Sequence, residues 1–224
     1  MRYSASSCLS LLLLLATVAL TACSPSASSL SDEEREPHFQ AGKSRVSALD
    51  YKGAIQSFEK ALEANPADQE SRYALGQVLL AMGNVDEGRV ELDKYESIRR
   101  QVDTANDNYK TALSYITARQ FSDAEKLLRD AVRLAPKYAP ALHSLGTLLL
   151  DRGNAKEAAD VLKRAVETNP LNDASWFSLG AAYFKLGKSP DALQAVRHAI
   201  ALNDEDDEYR RLLKEIQAKL GDKN

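Results

Sequence analysis

Cysteine is almost missing from this chain of 224 residues: it occurs only at Cys8 and Cys23. Beyond residue 23 there can be no disulfide, no cysteine nucleophile and no cysteine metal site. Histidine is equally scarce. His38, His143 and His198 stand far apart, with no acid at ligand spacing, which excludes a motif-type metal centre and leaves surface or half-buried helix positions. The chain has 29 basic against 32 acidic residues and no basic stripe, so nucleic acid is not an expected partner. The one sizeable apolar run, Leu9 to Leu20, is too short for a lasting membrane span. Glycine and proline are absent throughout Arg89 to Ala135.

Against these absences stands a ladder of small residues. Gly42, Gly76, Ala112, Gly146 and Gly180 form one column, and Ala54, Gly88, Ala124, Ala158 and Ala192 a second. A third column reads Ala61, Tyr95, Ala131, Ala165 and Ala199, with prolines at Pro66, Pro136 and Pro170. The steps are 34, 36, 34 and 34 residues. Within one period, Leu142, Leu145, Leu149 and Leu150 follow the spacing of one helix face. Gly153-Asn154 makes a turn, Ala158, Val161, Leu162, Ala165 and Val166 form a second stripe, and Asn169-Pro170 ends it. Small residues at Gly146 and Ala158 let the two helices of a hairpin approach closely.

This helix-turn-helix unit resembles the tetratricopeptide repeat. The resemblance implies an all-α solenoid of helical hairpins: five repeats and a capping helix from Glu208 to Leu220. Such arrays present binding surfaces. The expected organisation is repeats one and two over residues 35–102, repeats three to five over 103–206, and the cap and tail over 207–224. The first repeat has a weak first helix, with Arg45 in a column that elsewhere reads Leu79, Tyr115, Leu149 and Tyr183. At the 36-residue step, Arg100 replaces proline. Either the second helix of repeat two runs on, or Asp103-Thr104-Ala105-Asn106-Asp107 breaks it by capping chemistry. The expectation is a break and kink near Thr104.

Ahead of the array, Leu20-Thr21-Ala22-Cys23 resembles the bacterial lipoprotein signal. That resemblance implies cleavage of residues 1–22, diacylglycerol on the Cys23 thiol, and a serine-rich tether over 23–34. Two or three acyl chains anchor far more firmly than one. A serine after the cysteine implies, in Gram-negative lipoproteins, sorting to the outer membrane, facing the periplasm. Cleavage removes Arg2 and no acid, leaving 28 basic residues, 32 acidic residues and a net charge of −4.

Signals for chemistry are few. Gly187-Lys188-Ser189 looks like the tail of a phosphate loop, but Ala182 replaces the leading glycine and the repeat register explains Gly187 as a hairpin turn. The run Asp204-Glu205-Asp206-Asp207-Glu208 lacks the glycine and spaced ligands of a calcium loop, and reads as charge at a helix start. No catalytic, cofactor or metal residues are expected.

In the tetratricopeptide family the first helices line a concave groove. Its candidate columns here are Phe39, Tyr73, Tyr109, His143 and Phe177, and Val46, Leu80, Ile116, Leu150 and Phe184. An aromatic column beside an apolar one suits an extended peptide or an amphipathic helix. Lys43 is the only basic residue in the relevant column, which argues against the carboxylate clamp of some family members. The expected function is a non-enzymatic, lipid-anchored scaffold of the cell envelope. The resemblance extends to pilotin-type lipoproteins of type IV pilus biogenesis and to adaptors for peptidoglycan enzymes or polysaccharide export, among which the sequence does not choose. An accessory subunit of a membrane enzyme complex is the alternative.

Overall fold

The computed structural model describes residues 30–221, with side chains from residue 35. Cys23 and residues 1–29 lie outside the described residues. Among the described residues there are ten helices and no strands. They divide into two compact units between Glu96 and Ser97.

The first unit contains α1 (Leu30–Ser47), α2 (Tyr51–Ala64), α3 (Gln69–Ala81) and the beginning of α4 (Val85–Thr117). Its core is Phe39, Ala54, Phe58, Ala61, Leu75, Val78 and Leu79. The small-residue columns do what their spacing implied. A Cβ on Gly42 would sit 2.5 Å from Cε1 of Phe58, and one on Gly76 2.8 Å from Cγ of Leu92. Helix α1 forms despite Arg45, because that side chain turns outward. Its guanidinium donates to the Gly53 carbonyl at 2.8 Å and to Ser57 Oγ at 2.7 Å. Helix α1 begins at Leu30, inside the segment expected to be tether.

A nearly buried ion pair joins the first helices of the two hairpins. Arg35 donates to Asp68 at 2.8 Å, and the other oxygen of Asp68 caps α3 by accepting from Ser71 N at 2.9 Å. Burial pulls against the Arg35 charge, yet Asp68, Glu36 and Glu70 hold its pKa above the ordinary value. One carboxylate therefore closes a helix end and compensates a buried cation.

The second unit holds the rest of α4, α5 (Phe121–Leu134), α6 (Ala139–Asp151), α7 (Ala155–Thr168), α8 (Asp173–Lys185), α9 (Ser189–Leu202) and α10 (Asp207–Gly221). Each helix packs on its sequence neighbour from α5 onward, while α6 also touches α8, and α8 touches α10. The core runs from Ala105, Ala112 and Leu128 through Leu142, Leu149 and Leu162 to Leu179 and Ala195. Ala192, Val196 and Ile216 continue it under α10. In the column that reads Gly146 and Gly180, α10 carries Lys214, so it is not shaped to receive a close hairpin partner.

The expected break near Thr104 is absent: α4 is one helix of 33 residues. Two physical reasons explain the difference. Tyr95, Ile98, Val102, Ala105, Tyr109, Ala112 and Ile116 advance by three and four residues without interruption, so one stripe crosses the suspected boundary in phase. The Thr104 hydroxyl, expected to cap a new helix, instead donates to the Arg100 carbonyl one turn back at 2.8 Å.

The hairpin turns share one geometry. Gly83, Gly153 and Gly187 have φ of +85°, +86° and +74°, and the same turn position elsewhere holds Leu49 at 61° and Arg119 at 60°. Each is followed by an amide bonded five residues back, such as Asn84 to the Leu79 carbonyl and Gln120 to that of Tyr115. This is the left-handed helix stop, which strains any residue with a Cβ.

The carbonyls of the helix-ending prolines each find a donor in the following hairpin. Arg72 donates to Pro66, Trp176 Nε1 to Pro170, and Arg164 to Pro136. Arg72 and Trp176 occupy equivalent positions. Leu142, their counterpart in α6, cannot donate, and Arg164 from α7 serves in its place.

Candidate functional site

The ten residues expected to line a groove fall into both units, four in the first and six in the second. In the first, Phe39 is 5% exposed and packs at 5.9 Å from the Phe58 ring, flanked by Arg35 and Lys43. It is core, not a partner-facing side chain, because it packs against the Phe58 ring that fills the space over Gly42. Tyr73 is half-buried against Tyr95, with ring centroids 5.1 Å apart. Val46 and Leu80 are also half-buried.

In the second unit, Leu150 is 7% exposed and belongs to the core, a second correction to the expected groove. It closes the end of α6, where Lys185 donates to its carbonyl at 3.2 Å. Tyr109 meets Tyr138 edge-on at 5.4 Å, and the Tyr138 hydroxyl donates to Asn106 at 2.9 Å. Phe177 stacks on Tyr209 of α10 at 4.6 Å, and Lys219 of α10 lies over Phe184 at 4.8 Å. Ile116 is half-buried. The aromatic column thus uses much of its area to join one hairpin to the next.

His143 is half-buried on α6, and its Nδ1 shares a 3.1 Å hydrogen bond with Ser175 Oγ of α8. Burial lowers the imidazole pKa below its ordinary value, against a smaller raising effect of Asp173. The Asp173 carboxylate is engaged by Asn203 and Tyr209, which hold it ionised below the usual range. Ser175 is 2% exposed, and this serine and histidine form a bond between repeats. Among the described residues, no three His, Cys, Asp or Glu side chains cluster to hold a metal ion.

One exposed residue on this face escaped the column reading. Leu113, 38% exposed, stands four residues after Tyr109 and three before Ile116, on the same side of α4. Its register column reads Lys43, Gln77, Leu113, Thr147 and Ala181, too mixed to signal a surface.

Comparison with known proteins fits this geometry. Tetratricopeptide repeat patterns match residues 45–114, 109–173 and 143–209. The chain belongs to the tetratricopeptide repeat family. These repeats form a protein-interaction scaffold, in a family whose members are generally non-catalytic.

A curated relative, cellulose synthase 2 operon protein C of Komagataeibacter xylinus, is 32% identical over 126 residues. That match takes in 50% of this chain and only 10% of the relative. Among solved structures, the first repeat domain of Spaghetti (RPAP3) bound to the HSP90 peptide SRMEEVD superposes with a TM-score of 0.52 at 17% identity. It covers 54% of this chain and 95% of that one. The Sgt2 repeat domain from Aspergillus fumigatus gives 0.50 at 20% identity, covering 54% and 81%. Both show a shared fold. Among the described residues, no helix is long and apolar enough to cross a membrane.

Proposed function

We propose that this tetratricopeptide repeat protein is a lipid-anchored scaffold of the bacterial envelope that binds a protein partner along its first helices. The observation that carries the reading is the apolar face of the second unit: half-buried Tyr109 and Ile116 beside exposed Leu113 on α4, with half-buried Phe177 and Phe184 on α8. Tyr109, Ile116, Phe177 and Phe184 are held by packing yet keep accessible edges, the pre-organised state that favours binding. With Leu113 and His143 they are the proposed partner-contacting set of the second unit; Val46, Tyr73 and Leu80 are the corresponding proposed set of the first unit, taken by itself. An apolar or amphipathic segment matches them better than an acidic tail does, because no paired basic residues stand in these columns.

The anchor rests on Leu20-Thr21-Ala22-Cys23, with acyl chains on Cys23 placing the scaffold at the periplasmic side of the outer membrane. The name of the Komagataeibacter relative points toward a polysaccharide-synthesis assembly, in preference to the pilus machinery of the pilotin resemblance. An accessory subunit of such a membrane enzyme complex is the second reading, favoured by the same relative.

Crosslinking in native envelopes, followed by identification of the captured protein, tests the scaffold. Leu113→Asp should abolish capture while leaving helicity unchanged; undiminished capture would refute the proposed face. Cys23→Ala should release the protein from membranes, and retention there would sink the anchor.

A further inference from the structure

A second surface lies at the loop end of the last hairpin. Leu171, in the loop before α8, is 79% exposed, and Leu202, at the end of α9, is 41% exposed. Between them Trp176 stacks on the exposed His198, centroids 4.6 Å apart with an interplanar angle of 22°. The indole donates to the Pro170 carbonyl at 2.8 Å, which fixes the backbone beside Leu171. Asn203 donates to Asp173 at 2.9 Å, holding the end of α9 against the start of α8. Leu171 follows the Pro170 held by the indole, and Leu202 stands one turn after His198 on α9, so with Trp176 they fall on one exposed edge. In the preceding hairpin the exposed register positions hold Lys137, Arg164 and Thr168, so the apolar character is particular to this one.

Acids rim the patch. Asp206 is engaged with the Glu208 amide, and Asp207 with Arg210. Arg210 also donates to the Asp204 carbonyl. Among the described residues, the exposed carboxylates of Asp204, Glu205 and Glu208 have no cationic partner. An apolar patch beside uncompensated negative charge selects a complementary ligand and repels phosphate-bearing surfaces.

We propose that this edge docks a protein segment carrying an apolar side chain flanked by lysine or arginine. The site is separate from the first-helix face and independent of the partner bound there.

Trp176, the single tryptophan of the chain, stands within the patch and reports on it by fluorescence. The probe is a tryptophan-free peptide of alternating leucine and lysine, added to the full chain. A saturable change in emission is expected, with affinity falling about fivefold in Asp204→Asn/Glu205→Gln, the scale of exposed charge contacts. Leu171→Ser should weaken it similarly, and Asp86→Asn/Glu87→Gln, in the first turn of α4, should not. A leucine–glutamate peptide should fail to bind. The proposal is overturned by an absent or unsaturable change, by equal affinity in Leu171→Ser, or by equal weakening in the Asp86/Glu87 control. Vesicles of anionic phospholipid that bind with the same dependence on these variants would overturn it in favour of a membrane.

Discussion

The continuity of α4 can be tested by the sign of a single substitution, Thr104→Ala. If Thr104 began a new helix, its hydroxyl would cap it, and alanine would cost about 0.5–2 kcal/mol. In the continuous helix Thr104 is exposed and its hydroxyl returns to the Arg100 carbonyl. Alanine there removes a β-branched residue from a helix interior and gains about 0.5 kcal/mol. For an array of this size that is about 1–2 °C in Tm. Calorimetry on the full chain measures the shift, and hydrogen exchange of the amides around Thr104 locates it, since arrays can open locally. Val102→Pro, two residues earlier, should cost about 3 kcal/mol or more and deprotect the same amides. A loss of stability in Thr104→Ala would refute the continuous helix.

Arg119→Gly should stabilise the protein by about 1 kcal/mol, because its φ of 60° strains any side chain; Gly153→Ala should cost a similar amount, both read from urea midpoints. Gly180→Ala puts a Cβ 2.5 Å from Cγ2 of Val196 and should destabilise by about 1–3 kcal/mol in the same assay. His143 makes stability fall on acidification. Its folded pKa is depressed, so below the ordinary value of about 6.5 the unfolded chain takes up a proton that the folded chain refuses. The loss begins as pH drops through about 6.5 and stops at the folded pKa. His143→Gln should flatten that part of the profile, and an unchanged profile would exclude His143 as its source.

Much of the array was legible because its packing depends on size at fixed intervals. Gly42, Gly76, Gly146 and Gly180 announce close helix contacts, and Gly83, Gly153 and Gly187 mark turns. The continuity of α4 was legible too, in the unbroken stripe from Tyr95 to Ile116, but the capping residues Asp103 and Thr104 offered a competing local signal. Side-chain capping contributes about 1 kcal/mol and yielded to the continuous helix, whose Ala105 and Ala112 are buried immediately after the suspected boundary.

The face of the first helices was only partly readable. Phe39 and Leu150 share their columns with half-buried residues. What separates them is local: Phe39 packs on the Phe58 ring in the first core, and Leu150 belongs to the tightly packed end of α6. The patch around Leu171 was invisible as a motif, since it joins a loop, two helices and an acidic run that the spacing treats separately.

The donors to the proline carbonyls bear on how such an array gains and loses parts. Excising Ala139 to Asn172, one whole period, would bring Pro136 into register with Trp176, which already carries the donor that Pro170 uses. The Pro136 carbonyl at the junction left behind would therefore keep a donor, whereas a copy of the α6 hairpin relies on Arg164 wherever it is placed. A shortened array would keep the proline carbonyl satisfied at that point, but Tyr138 in place of Asn172 would remove the acceptor of Ser175 N, so a designer cutting there should also replace Tyr138 by asparagine.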